Sequence, residues 1–213
     1  MKFNFKKYWR KTSLKRKYDG NFLLEHIFSL KPKNFLEIGV FHGVTSRNVC
    51  ELLNSIHGDN FKFTGIDLFE HDNKKLNEEI APQTNFSNPL KKIFYKYIIK
   101  IDPYSYESVN KLLIKFKNNI NIIKDNSNNA LKKMNVGEFD YVFLDGGHKY
   151  ETVKNDLICL TKVIENRGTI LCDDYNLSYA PGIKKAIDEY VIDNNFNLRI
   201  LNNRFAEIKI KDK

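Results

Sequence analysis

The sequence predicts an α/β fold, doubly wound around a mostly parallel seven-stranded sheet that closes in an antiparallel hairpin. Three observations lead there. From Phe35 onward, short apolar runs alternate with stretches of helical periodicity, the pattern of a parallel sheet covered on both faces. Two of those runs end in carboxylates, Asp145 after YVFL and Asp173-Asp174 after TILC. Near the end, FNLRIL and RFAEIKI flank Asn202-Asn203, a pair that tolerates positive φ, so the last two strands run antiparallel.

The elements follow in order. FLEI (35–38) is the first strand, and a helix from about Thr45 sets Val49, Leu52, Leu53 and Ile56 on one face. FKFTGID (61–67) and INIIK (120–124) are the second and third strands, and 140–144 is the fourth. Val153, Leu157, Leu160 and Ile164 then recur at helical spacing. TILCD is the fifth strand, and Pro181 opens a helix whose inner face carries Ile183, Ile187 and Tyr190. Residues 69–104, with His71, Pro82, Pro89 and Pro103, fit the alternation poorly; they are an irregular insertion or lid, or a partly helical connection.

At 213 residues the expectation is one domain, residues 21–213, preceded by a basic arm, residues 1–20. A chain this long buries about 70% of its unfolded surface without disulfides. Cys50, Cys159 and Cys172 lie inside apolar patterns at unrelated spacings, which suits small core residues in a reducing compartment. The N-terminus lacks a signal-peptide core, and no run approaches ~18 apolar residues; the expected location is cytoplasmic.

Net charge is +9, yet residues 1–17 alone hold Lys2, Lys6, Lys7, Arg10, Lys11, Lys15, Arg16 and Lys17 without one acid. Of the 35 Lys and Arg, that leaves 27 against all 26 Asp and Glu, so the body is near neutral. The arm also carries Phe3, Phe5, Tyr8 and Trp9. It is a solvated tail, a segment packed on the domain, or a contact for a membrane, a nucleic acid or another anionic surface.

The chemistry-bearing residues gather at strand ends, where open parallel sheets bind ligands. LEIGVFHGVTS (36–46) is strand, glycine turn and helix start, with Gly39 and Gly43 letting backbone approach a ligand. Asp67 ends the second strand, where an acid can accept both hydroxyls of a ribose; the plainer reading is a tight turn and a helix cap. Asp145, Asp173 and Asp174 form a hard-oxygen set suited to Mg²⁺ with His148 beside them, or else they cap the helix near Tyr150 and the loop before Pro181. Glu151 and Asp156 belong to a solvated helix face; His42 lies in the glycine loop and points away or contacts substrate, while His26, His57 and His71 have no supporting constellation.

LEIGVFHG, GIDLF, DGGHKYETVKNDL and GTILCDDY together resemble the class I S-adenosylmethionine-dependent methyltransferases, of Rossmann-like fold. The likeness spans about residues 34–210 and is nearest the metal-dependent small-molecule O-methyltransferases of the catechol and macrolide-sugar type. It implies that Glu37, Gly39 and Gly43 lie beside the methionine part of the cofactor and that Asp67 binds the ribose. It also implies that Leu68 and Ser127 lie near the adenine and that Asp145 adjoins the cofactor. Asp145, Asp173 and Asp174 match a magnesium (or manganese) triad, and His148 falls at the general base. Asp174 and His148 fit the macrolide-sugar pattern; Asp125 stands where a glycine is more usual in the adenine turn.

The expected reaction is transfer of a methyl group from S-adenosylmethionine to a hydroxyl of a small molecule, a sugar or glycoside before a catechol, assisted by a divalent metal. An imidazole, titrating near ~6.5 when unperturbed, can take the hydroxyl proton at neutral pH. Three rivals remain: an RNA methyltransferase, which only the basic arm favours; a non-catalytic cofactor-binding scaffold, which the intact acid triad opposes; and an oxidation or hydroxylation activity on the same fold, for which the sequence shows no clear two-His-one-carboxylate set.

Overall fold

The computed structural model describes residues 3–70 and 88–210. Helix α1 (Lys17–Leu30) leads into β1 (Asn34–Ile38), α2 (Val44–His57) and β2 (Lys62–Asp67). Then come α3 (Pro89–Ile93), running on as a π-helical turn (Phe94–Ile99), and α4 (Tyr106–Leu113) with a 3₁₀ turn (Ile114–Phe116). β3 (Ile120–Lys124), α5 (Ser127–Leu131), β4 (Phe139–Leu144), α6 (Tyr150–Val163), β5 (Ile164–Cys172), α7 (Pro181–Asn194), β6 (Asn197–Leu201) and β7 (Phe205–Lys209) complete the chain.

The strands lie in the order β3-β2-β1-β4-β5-β7-β6, the first five parallel and the last two antiparallel. Asn202 and Asn203 take φ of 51° and 53° in the hairpin, as their side chains allow. β5 is longer than TILCD because a register shift opposite Phe139–Tyr141 lets Ile164 pair as well. α1, α4 and α5 are additions to the predicted elements, and α1 runs across residue 20. Of the predicted insertion, residues 89–99 are helical, while His71 and Pro82 lie outside the described residues.

Register is what positions the site. Ile38 pairs with Ile66 and with Leu144, and Leu144 pairs with Cys172. The next residue on each strand is Gly39, Asp67, Asp145 or Asp173, so four predicted residues emerge in one row at the carboxyl edge. The crossovers change direction between β1 and β4, which makes this the switch-point crevice.

Each sheet face has its own core. Leu36, Ile38, Val142 and Leu144 pack with Leu157, Leu160 and Ile187 on one side; Phe35, Phe63, Tyr141 and Phe143 pack with Leu23, Ile27, Val49 and Leu53 on the other. Asp156, expected on a solvated face, is only 1% exposed, because α6 turns it toward α5, where it accepts from the Ser127 hydroxyl at 2.5 Å. His26 joins Tyr141 and Glu207 (2.8 and 2.9 Å) in a buried network fastening α1 to the sheet. Cys50, Cys159 and Cys172 are all free, the first and last buried. Among the described residues no helix is long and apolar enough to cross a membrane.

The basic arm packs on the domain. Phe5 and Leu14 are buried in the second core, and the Phe5 ring occupies the space where a Cβ on Gly20 would stand, 2.3 Å away. Arg10 donates to the carbonyls of His42, Pro103 and Ser108 and to the Ser108 hydroxyl. Apolar anchors and one guanidinium seat the strand of arm between them. Phe5→Ala should cost about 3 kcal/mol, the scale for a buried aromatic, and a denaturant melt with limited proteolysis should show the arm becoming cleavable first.

Candidate active site

Gly39 and the β4 terminus are pressed together. Gly39 has φ of 94°, and a Cβ there would meet the Asp145 carbonyl oxygen at 2.0 Å, so only glycine serves. The turn continues through Phe41, held at φ of 52°. Its amide donates to Asp67 Oδ2 at 2.7 Å, which offsets the left-handed strain. Asp67 Oδ1 also accepts from the Phe69 amide (2.8 Å) and the Tyr104 hydroxyl (2.9 Å). The carboxylate thus ties β1, β2 and the loop before α4. Burial raises its pKa and, more strongly, that of Tyr104. A carboxylate has about four acceptor sites; for a ribose to engage both oxygens, the Tyr104 hydroxyl must give up its place.

Glu37 stands in β1 where the pleat demands an apolar side chain. It is fully buried, its Oε2 accepts from the Ser46 hydroxyl of α2 at 2.5 Å, and Oε1 has no hydrogen-bond partner among the described residues. Burial pushes its pKa up to about 8. An orphaned buried carboxylate oxygen is expensive in a structural residue and natural in one that meets a ligand donor. Leu68 is half-buried just past β2. Ser127 opens α5, its hydroxyl committed to Asp156, and Asp125 pairs with Lys133 at 3.2 Å. His42 is buried under Phe41 and Tyr104, in reach of the Lys11 amide.

Asp145, Asp173 and Asp174 do come together: one oxygen of each lies within 4.8 Å of the others. They cap neither helix, since α6 begins after Lys149 and α7 after Ala180 without side-chain caps. Asp174 has φ of 57°, which turns its carboxylate beside its neighbour's. Burial first, then mutual repulsion, raises the pKa of Asp145 well above the carboxylate range; burial lifts Asp173 to about 6 against the pull of Arg204. His148 Nε2 lies 3.6 Å from Asp174 Oδ2.

Two residues at this corner were missed by sequence reasoning. Arg204, at the mouth of β7, forks onto Asp173 at 2.5 and 2.6 Å and reaches Asp174 (3.3 Å) and Asp19 (3.2 Å). Ser13, from the arm, donates to Asp145 Oδ2 at 2.5 Å. Both contacts join residues far apart in sequence, and only the ring of acids around them hinted that a donor was needed. A hollow lies between Lys11–Ser13 and the turn Gly39–His42, and Asp145 also lines it.

The residues present suit the groups that the resemblance implies. The Gly39 turn, the orphaned oxygen of Glu37 and the acid at the end of β2 would suit a cofactor with a cationic end and a ribose. The three carboxylates are an all-oxygen donor set of the kind Mg²⁺ prefers, and a divalent cation would relieve the repulsion that raises their pKa values.

This crevice, on a sheet ordered 3-2-1-4-5-7-6, defines the class I S-adenosylmethionine-dependent methyltransferases. The chain belongs to the family described as Methyltransferase domain, which it matches over residues 36–175. No curated protein matches its sequence. Among solved structures it is similar to a candidate caffeoyl-CoA O-methyltransferase from Staphylococcus aureus: 16% identity, 92% of this chain and 84% of that one, TM-score 0.61. It is also similar to the S-adenosylhomocysteine-bound methyltransferase PaMTH1 of Podospora anserina (17%, 93% and 80%, 0.59). CalS11, a TDP-rhamnose 3'-O-methyltransferase of calicheamicin biosynthesis, is a third (14%, 92% and 82%, 0.60). These likenesses share the fold.

Glu37 gives a stability test. Its folded pKa lies above its unfolded value, so the fold holds the proton more tightly. That contribution is complete below ~4.5 and is lost as pH rises toward about 8. Glu37→Gln should therefore stabilise the ligand-free protein at pH 8, flatten its stability between pH 5 and 8, and weaken cofactor binding. Urea melts across pH, beside calorimetry, check both halves.

Proposed function

We propose that this methyltransferase transfers the methyl group to an aliphatic hydroxyl of a small molecule, a sugar or glycoside, with a divalent metal held by Asp145, Asp173 and Asp174. One observation carries the choice of acceptor: the Ser13 hydroxyl, an aliphatic alcohol, is hydrogen-bonded to Asp145 in the middle of the acidic corner. A substrate hydroxyl replacing it would stand between that acid and the Gly39 turn. The acid pair Asp173-Asp174 and the similarity to a sugar O-methyltransferase point the same way.

S-adenosylmethionine supplies an activated methyl on a sulfonium, so the protein's work is alignment and removal of a proton. A magnesium or manganese ion would make the acceptor hydroxyl more acidic. The Gly39 turn and Glu37 would hold the methionine end, and Asp67 the ribose. Holding acceptor and donor in line is worth effective molarities of ~10⁵ M or more. His148 would take the hydroxyl proton at Nε2, steadied by Asp174. The bound donor would supply a methyl whose bond to sulfur breaks as the bond to the acceptor oxygen forms, the sulfur departing as a neutral thioether.

Calorimetry should show S-adenosylhomocysteine binding, weakened by about 1.5–3 kcal/mol in Asp67→Ala, the worth of charge-assisted hydrogen bonds. Binding of a nicotinamide dinucleotide in its place would reject the reading. Turnover of a sugar acceptor, followed by mass spectrometry, should stop in chelator and return with Mg²⁺ or Mn²⁺. Full activity of an Asp173→Ala, Asp174→Ala double variant in chelator would dismiss the metal. His148→Gln should bind the cofactor normally yet lose roughly 10²–10⁴-fold in rate; a near-normal single-turnover rate in the folded variant would remove it from the mechanism.

A further inference from the structure

The helical segment at residues 89–99 turns an apolar face to solvent. Leu90, Ile93, Tyr97 and Ile98 are 69%, 52%, 60% and 67% exposed, while Tyr95 is turned inward. The face is extended by Trp9 of the arm, 61% exposed, whose ring lies 5.8 Å from that of Phe94 with Lys91 Nζ above it at 6.0 Å. Two segments far apart in sequence thus build one patch of five large apolar side chains.

The two segments are basic. NPLKKIFYKYIIK (88–100) carries Lys91, Lys92, Lys96 and Lys100 and no acid; the arm beside Trp9 carries Lys6, Lys7 and Lys11 and no acid, with Arg10 turned inward onto its carbonyls. Lys6, Lys7, Lys92 and Lys100 are exposed. An apolar stripe containing Trp and Tyr, bordered by lysines, is the composition of an element that lies in a lipid headgroup layer. A second copy of the chain would bring like charges face to face across a two-fold axis. A nucleic acid would meet the lysines but leave Leu90, Ile93 and Ile98 without partners, since phosphate contacts come from polar and charged groups.

We propose that the face formed by Trp9 and residues 88–100 docks on the surface of an anionic phospholipid bilayer, with the apolar side chains sunk among the headgroups and the lysines on lipid phosphates. The arm then runs from the bilayer at Trp9 to the acidic corner at Ser13 within four residues, so docking sets the crevice beside the membrane. Acceptors held at that surface, amphiphilic hydroxyl compounds, would be the ones presented to it.

Trp9 is the only tryptophan, so its emission reads the docking directly. With full-length protein, vesicles of phosphatidylcholine containing phosphatidylglycerol should shift that emission to the blue, brominated acyl chains should quench it, and salt should weaken both effects. Phosphatidylcholine alone should do much less. Lys91→Gln with Lys92→Gln should weaken partitioning roughly thirtyfold, at about 1 kcal/mol per charge. Leu90→Ser, Ile93→Ser and Ile98→Ser together should abolish it while the thermal melt stays unchanged, because these side chains are exposed. The proposal is overturned if no vesicle moves the emission or if a short RNA moves it and vesicles do not. A dimer in light scattering that the serine variant dissolves would equally assign the face to a second copy.

Discussion

Arg204 grips Asp173 at two points, and the geometry of the acidic corner depends on that grip. Three carboxylates brought within 4.8 Å of one another repel, and burial at the sheet edge magnifies the repulsion. The guanidinium fork meets both oxygens of Asp173, touches Asp174 and ends on Asp19 of α1. One cation therefore steadies the ends of β5 and the start of α1. Breaking such a buried pair from one side costs ~3–5 kcal/mol, because the stranded charge keeps its desolvation penalty. Arg204 sits at the entrance of β7, so the C-terminal hairpin is a structural support of the site as well as an edge of the sheet.

The cofactor side of the crevice is organised by a different constraint, the contact between Gly39 and the Asp145 carbonyl. Strands β1 and β4 converge until no side chain fits between their ends. The chain then has to leave through residues in left-handed conformations, and Asp67 holds the turn by accepting from Phe41. The acid proposed to receive the ribose hydroxyls is thus also a fastening of the turn. Tyr104 and Ser13 do comparable work: each places a hydroxyl on an acid at the sheet edge, on Asp67 and on Asp145. At Asp67 and Asp145 the crevice satisfies its carboxylates with hydroxyls of its own.

Glu37 shows what such a site costs the fold. It sits in a strand that would be tighter with an apolar side chain, with one oxygen orphaned and its pKa moved to about 8. The other residues at the carboxyl ends of β1 and β4, Leu36, Ile38 and Val142–Leu144, are apolar and buried. Local rules of sequence are broken at this position, and the breach coincides with the predicted cofactor cradle, where function and stability pull apart.

The sequence by itself determined the strands, their carboxyl-end acids and the hairpin. Apolar periodicity and the two consecutive asparagines are local signals, and local signals survive without a partner. Glu37, Gly39, Asp67, Asp145, Asp173, Asp174 and His148 were legible because each stands at or beside a strand end, and register then put the strand ends in one row. Tertiary structure alone decided the rest. Whether a run of eight bases is a tail or a strap depends on where Phe5 and Leu14 find room, and Arg10 on which carbonyls it meets. Asp156 looks like a surface acid until α5 packs against it. Arg204 and Ser13 lie some 31 and 132 residues from the acids they serve, and the pairing of a donor with an acceptor across such distances is created by packing, not by spacing.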